Sequence, residues 1–221
     1  SSDVVAKETY SFEDRGGSSL TLRPEGTASV MRSLISNGLT QSLPQKFFYA
    51  GPMFRYERPQ KGRMRQFHQI GCEYIGSFNP LADAEVIGCA AQFLSELGVL
   101  HSCRLHLNSL GDGESRDTYR AALVAFLSHY KNELSSDSQR RLNENPLRIL
   151  DSKADEDREI LKNAPQLPAF LTTQAQQHFE QVTNALDKAG INWQLDINLV
   201  RGLDYYSHTA FEFITDELGS Q

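Results

Sequence analysis

Residues 47–76, FFYAGPMFRYERPQKGRMRQFHQIGCEYIG, constrain the fold more than any other stretch of the chain. Two runs rich in apolar and aromatic residues flank a charged loop, the pattern of an antiparallel hairpin with a long connection. A strand shows every second side chain on one face. In the second arm His68, Ile70, Cys72 and Tyr74 share a face; it is mostly apolar and is expected to pack on a core. The other face carries Phe67, Gln69, Gly71, Glu73 and Ile75. In the first arm the same count groups Tyr49, Gly51, Met53, Arg55 and Glu57. If these two faces coincide, one sheet surface presents Arg55, Glu57, Gln69 and Glu73 around two glycines, the floor of a polar pocket. A solvated outer face is the alternative.

The loop between the arms is cationic. Five of the fourteen residues from Arg55 to His68 are basic (Arg55, Arg58, Lys61, Arg63, Arg65), against one carboxylate, Glu57. The whole chain has 221 residues and a net charge of −6. A local cationic loop on an acidic protein points to a specific anionic ligand, not to a nucleic-acid coat. A hydrophobic content of 39% is ordinary for a soluble globular protein. No apolar run approaches membrane-spanning length, so no membrane association is expected. The start, SSDVVAKETY, has no secretory signal pattern. Cys72, Cys89 and Cys103 have no CxxC spacing and are expected to be buried free thiols of a reducing compartment.

Around this hairpin the periodicity alternates between strand and helix. Tyr10–Arg23 reads as a first hairpin about Arg15-Gly16-Gly17. Thr27–Asn37 has Val30, Met31, Leu34 and Ile35 at helical spacing, ended by Gly38. Asp83–Leu97 is a second helix, with Val86, Ala90, Phe93 and Leu97 as its apolar stripe. Cys103–Asn108 alternates as a half-buried strand. From Gly111 to Gly190 the pattern is helical: Ser115–Lys131, with Tyr119, Leu123, Phe126, Leu127 and Tyr130 on one side, then Ser135–Arg141, Ala154–Lys162 and Gln174–Ala189, which carries Phe179, Val182 and Leu186. Trp193–Thr215 returns to strand. The expectation is an α+β fold, an antiparallel-sheet core flanked by helices and interrupted by a helical insertion.

Two further segments carry chemistry. Leu22-Arg23-Pro24-Glu25-Gly26-Thr27 makes a tight strand-to-helix corner, where Glu25, Thr27 and backbone amides can meet a small ligand. Equally, both side chains suit a helix N-terminus with no further role. In Leu199-Val200-Arg201-Gly202-Leu203-Asp204-Tyr205-Tyr206 a cation sits in an apolar stretch and needs an anion. That anion is either a ligand or a local carboxylate such as Asp204. The histidines have no metal-ligand spacing, so no metal site is assigned. There is no GxxxxGK[ST], GxGxxG or GxSxG motif.

Together these segments resemble one family: the histidyl-tRNA synthetases of bacterial type, class II aminoacyl-tRNA synthetases. FRYERPQKGRMRQFHQIGCE is similar to the family's motif 2. LRPEGT and LVRGLDYY are similar to its two histidine-site signatures. The resemblance covers the entire chain. It implies a class II synthetase-like antiparallel sheet, ATP-dependent activation of L-histidine to histidyl-adenylate, and transfer to tRNA(His). ATP and Mg²⁺ are the implied cofactors, a homodimer the implied assembly and the cytoplasm the implied setting.

By position, the resemblance implies that Glu25 and Thr27 hold the histidine amine, with Gln69 helping and Gly26 also in the histidine site. Glu73 and Tyr206 face the imidazole, with Tyr205 beside them. Arg55 binds the α-phosphate, Glu57 contacts the adenine, Phe67 stacks on it and Arg63 meets the far phosphates. Arg201 lies at the histidine carboxylate and the α-phosphate, and with Arg55 is the catalytic pair. The implied division is residues 1–110 and 191–221 as two parts of the catalytic core, with 111–190 as the insertion. Motif 1, motif 3 and the anticodon-binding domain are absent from the sequence, so a catalytic-domain fragment is expected, one that by itself cannot complete an ATP site. Two rivals are a non-catalytic synthetase-like regulatory subunit of histidine biosynthesis and a sheet-based RNA-binding module. The first tends to lose the arginines and loop kept here; the second stacks bases on exposed rings.

Overall fold

The first two strands are β1 (Ser11–Glu13) and β2 (Ser19–Thr21), paired antiparallel with Phe12 opposite Leu20 in a computed structural model that describes residues 8–60, 62–197, 199 and 206–217. Asp14 builds their turn. Its Oδ1 accepts the N–H groups of Gly16 and Ser18 at 2.8 and 2.9 Å, and Gly17 takes φ +79°. After Pro24, helix α1 (Thr27–Ser36) begins. Of its four expected apolar positions only Leu34 is buried, at 2% exposure; Ile35 is 65% exposed.

The long hairpin forms as its alternation requires. β3 (Gln45–Phe54) and β4 (Gln66–Ile75) pair antiparallel, with Phe47 opposite Glu73, Tyr49 opposite Gly71 and Gly51 opposite Gln69. The odd-numbered residues of both arms therefore share one face. Which face is covered departs from expectation. Ile70 is 62% exposed and Phe48 84% exposed, whereas Met53 on the odd face is fully buried. The face carrying His68, Ile70 and Cys72 does not pack on a core. The reason is that Tyr49 and the N-terminus of α1 close over the polar face instead.

Helix α2 (Pro80–Glu96) starts at Asn79, whose side chain accepts the Leu81 N–H. Its buried residues are Ala82, Ile87 and Ala91, while Phe93 and Leu97 of the expected stripe are exposed. The helix is rotated about its axis relative to the stripe read from the sequence. None of the three cysteines forms a disulfide, but Cys72 and Cys89 are exposed and Cys103 only half-buried, against the expected burial. Residues Ser1–Ser102 with Thr215–Gln221 form one compact unit, and Cys103–Ile214 a second.

In the second unit β5 (Arg104–Ser109) is a central strand, with β6 (Gln194–Leu195) parallel on one side and β7 (Thr209–Ile214) antiparallel on the other. Its own Leu105 and Leu107, on one face of the strand, are buried. The described strands thus lie in three small sheets, and one pairing, β5–β6, is parallel. Four helices fill residues 113–188: α3 (Gly113–His129), α4 (Ser136–Glu144), α5 (Asp155–Leu161) and α6 (Thr173–Lys188). No strand interrupts them.

The stripe of α3 is the one its spacing requires. Tyr119, Leu123 and Leu127 are buried against Leu142, Ile149 and Leu167. Each such aliphatic side chain contributes about 1.5–3 kcal/mol on burial. On α6, Val182 and Leu186 are buried, again as expected, and Phe179 meets Trp193 edge to face.

Two carboxylates organise these helices. Asp112 caps α3, accepting the Ser115 N–H and hydroxyl at 2.8 and 2.7 Å and the Thr172 hydroxyl at 2.5 Å. Those bonds, the one from Thr172 foremost, hold its carboxyl down at about 2. Asp157 is fully buried and accepts four hydrogen bonds: the Ser135 N–H and the hydroxyls of Ser135, Ser138 and Ser152. Burial pushes its carboxyl up, but the serine bonds outweigh that and keep it below the ordinary carboxylate value.

Candidate active site

The strand-to-helix corner and β4 meet through Thr27. Its hydroxyl donates to Glu73 Oε1 at 2.7 Å. The Tyr49 ring packs beside this corner, and burial pushes its phenol above the ordinary value. The Thr27 bond fixes the Glu73 carboxylate on the polar face of the hairpin.

Tyr49 is a residue sequence reasoning placed on this face without giving it a role. Its ring occupies the space beside two glycines. A Cβ on Gly71 or on Gly26 would lie 2.2 Å from a Tyr49 ring atom. A Cβ on Gly51 would lie 2.6 Å from the Arg23 guanidinium, whose Nε donates to Pro52 O at 2.8 Å. The glycines thus make room for Tyr49 and Arg23, not directly for a ligand. The register gave a signal for this: Tyr49 stands directly opposite Gly71, and a large ring facing a glycine is an efficient cross-strand pair.

Gln69 lies two residues before Gly71 on the same face. Its Oε1 is buried and makes no hydrogen bond among the described residues. A buried amide oxygen without a donor is costly, so it marks a place for an incoming N–H group. Glu25 has a local partner as well. Its carboxylate accepts the Ala28 N–H at 3.0 and 3.3 Å, capping the first turn of α1. Gly26 is buried at the N-cap.

The arginines gather around one carboxylate. Arg55 donates from Nε to Pro24 O at 2.8 Å, which ties the end of β3 to the corner. Its NH1 is 3.9 Å from Glu57 Oε1, and Arg63 Nε is 3.5 Å from Glu57 Oε2. Arg65 Nε donates to the Glu57 carbonyl at 3.1 Å. Three cations against one carboxylate leave a net positive surface suited to phosphates. The Arg55 guanidinium stands 5.0 Å over the Phe67 ring, a cation–π contact. The ring expected to stack on adenine therefore faces Arg55 here.

A cavity of about 270 Å³ lies between α1 and β3, lined by Arg23, Val30, Phe47, Tyr49 and Met53 among others. Of the expected substrate residues it touches only Gly26, so it is not assigned to the substrate. Among the described residues no three histidine, cysteine or acidic side chains gather as a metal cage. Magnesium is often carried largely by substrate phosphates; no protein ligand is assigned to it. Also among the described residues, no helix is long and apolar enough to cross a membrane.

Arg201 and Tyr205 lie outside the described residues. Tyr206 is described, 39% exposed, and its carbonyl accepts from Arg116 NH1 at 2.5 Å.

A family profile described as histidyl-tRNA synthetase matches residues 1–221. A curated relative from Gluconacetobacter diazotrophicus, a histidine–tRNA ligase, is 60% identical over 220 residues, covering 100% of this chain and 53% of that protein. The apo S. aureus histidyl-tRNA synthetase superposes with a TM-score of 0.79 at 43% identity, over 96% of this chain and 50% of that one. A Bacillus halodurans protein titled ATP phosphoribosyltransferase regulatory subunit/histidyl-tRNA synthetase has a TM-score of 0.61 at 22% identity, over 97% of this chain and 59% of its own; that likeness concerns the fold alone. The chain spans about half the length of the curated relatives it matches.

Proposed function

This chain belongs to the histidyl-tRNA synthetase family, and on that footing we propose that it supplies the histidine- and ATP-handling part of a histidine–tRNA ligase. The enzyme activates L-histidine with ATP and passes the histidyl group to tRNA(His). The observation that carries the reading is the Thr27–Glu73 hydrogen bond beside the buried Gln69 oxygen, which has no hydrogen-bond partner among the described residues. Together they offer a fixed carboxylate and a buried acceptor to a ligand rich in N–H groups.

In this reading the histidine amine is held by Glu25 and Thr27, with Gly26 beside them and Gln69 Oε1 accepting one of its N–H hydrogen bonds. Glu73 accepts from the imidazole N–H, and Tyr206, with Tyr205 beside it, completes recognition of the ring. Held this way, the substrate carboxylate must approach the α-phosphate, and both are anions. Arg55 binds that phosphate, and Arg201 stands between phosphate and carboxylate, where a cation gains most as the two approach. Arg63 meets the outer phosphates; Glu57 contacts the adenine and Phe67 its face. Magnesium, when bound with ATP, adds charge neutralisation at the phosphates.

Residues 111–190 belong to the same proposal as a helical insertion between core segments 1–110 and 191–221. The unbroken run of helices from Gly113 to Lys188 supports it. A homodimer and a cytoplasmic setting follow from the same reading. The decisive experiment is histidine-dependent ATP–pyrophosphate exchange, run on this chain and on the full-length protein. Exchange with histidine and none with the other amino acids supports the assignment; a full-length protein that binds histidine but catalyses no exchange refutes it and favours a regulatory subunit.

A further inference from the structure

The segment LVRGLDYY is held at both of its described ends by one short stretch of chain, residues 108–116. Asn108 lies on β5 and is 1% exposed. Its amide donates to Leu199 O at 3.0 Å and to Ile197 O at 3.3 Å. A side-chain amide has two N–H donors, and both of these bonds go to the backbone that leads into the segment. At the other end Arg116, on the first turn of α3, donates from NH1 to the Tyr206 carbonyl at 2.5 Å. Two residues on, the His208 N–H donates to Gly111 O at 2.8 Å, and its carbonyl accepts the Leu110 N–H at 2.6 Å.

His208 also has φ +56°, a left-handed conformation disfavoured for a residue with a Cβ. Such a residue persists where its surroundings over-determine it. Here those surroundings are the paired bonds to residues 110 and 111, and a ring stacked on His178 of α6 at 4.2 Å between centroids. Asp112, next in the chain, is itself fixed by Ser115 and Thr172. Residues 108–116 thus present a rigid frame of one buried amide, two backbone groups and one guanidinium.

We infer that Asn108 and Arg116 are positioning residues: Asn108 holds the Leu199 carbonyl and Arg116 the Tyr206 carbonyl, so that Tyr206 is set for the histidine ring. The inference deepens the proposed function and rests on its assignment of Tyr206 to the imidazole. Neither residue touches substrate. Each acts through a backbone carbonyl, and an angstrom of displacement at Tyr206 is enough to weaken a contact that depends on geometry. The strand-to-helix junction read from the sequence as the mere start of an insertion then has a second task.

The test is pyrophosphate exchange in the full-length enzyme, with KM for histidine and for ATP measured separately. Arg116→Ala should raise the histidine KM about tenfold, the scale of one charge-assisted hydrogen bond. The KM for ATP should stay within about twofold, and Arg116→Lys, which keeps a single cationic donor, should recover part of the loss. Asn108→Ala should shift the same constant in the same direction. A loss that falls equally on both substrates, or on neither, overturns the inference and leaves Arg116 with a purely structural role. If Arg116→Ala does not fold, the Lys variant carries the same comparison, because its single donor also perturbs the Tyr206 carbonyl. Tyr206→Phe separates the two layers. A raised histidine KM for Tyr206→Phe with none for Arg116→Ala overturns the positioning role alone. No change for Tyr206→Phe overturns the assignment of Tyr206, and with it this inference.

Discussion

Glu73→Gln isolates the charge at the centre of the proposed site. Glu73 accepts the Thr27 hydroxyl at 2.7 Å and stands on β4 opposite Phe47, half-buried. Glutamine has nearly the same shape, and its amide oxygen can still accept that hydroxyl. The fold should lose less than about 1 kcal/mol, since a hydrogen bond is weakened and not removed. A ligand N–H aimed at the carboxylate loses its charged acceptor, at a cost of about 1.5–3 kcal/mol. That is roughly a 10- to 150-fold rise in the dissociation constant for histidine. Calorimetry on the full-length protein, with histidine and with ATP in separate titrations, reads the effect directly. The expected outcome is a large loss for histidine, a loss within about twofold for ATP and a melting temperature within a few degrees of wild type. Equal losses for both ligands, or a lowered melting temperature alone, would mean that Glu73 serves the fold through Thr27 and does not meet the imidazole.

Three further outcomes follow from the packing. Gly71→Ala puts a methyl group 2.2 Å from the Tyr49 ring; overpacking of this kind costs about 1–3 kcal/mol, so both stability and histidine affinity should fall, read by thermal melts and calorimetry. Asp157→Ala leaves the Ser135, Ser138 and Ser152 hydroxyls without their common buried acceptor; a loss of about 3 kcal/mol or more is expected in urea unfolding, with histidine affinity of the remaining folded protein unchanged. The Asp112 carboxyl is lowered in the folded state from 3.8 to about 2, so its contribution is complete above the unfolded value and disappears as pH falls through that window. Its half-exposed position reduces the contribution to about 1 kcal/mol by solvent screening, and Thr172→Val, which removes the largest cause, should flatten the pH dependence of unfolding there.

Much of this architecture was legible in the sequence because it depends on local periodicity. The alternation in residues 47–76 determined that a hairpin forms and which side chains share a face, since the pleat leaves no other option once the register is set. The stripe of α3 was equally plain, because Tyr119, Leu123 and Leu127 recur at helical spacing with few competitors. On α2 the same rule failed. Apolar residues surround that helix, and spacing cannot choose between the stripe of Val86, Ala90 and Phe93 and the buried one of Ala82, Ile87 and Ala91.

Sequence by itself determined the family, through three long motifs in order, and with it the candidate residues of the site. It also determined the helix-rich character of residues 111–190. What tertiary structure alone decided was coverage and partnership. Alternation says that two sheet faces differ, but not which of them a distant helix will close over; here α1 covers the polar face and leaves Phe48 and Ile70 exposed. The pairing of Thr27 with Glu73, 46 residues apart, the filling of the two glycine positions by Tyr49, and the tie from Arg116 to Tyr206 are likewise contacts between separated segments. Each arises because a buried polar group must find a partner and a packed interior must fill its space, and which group answers that need depends on the path of the whole chain.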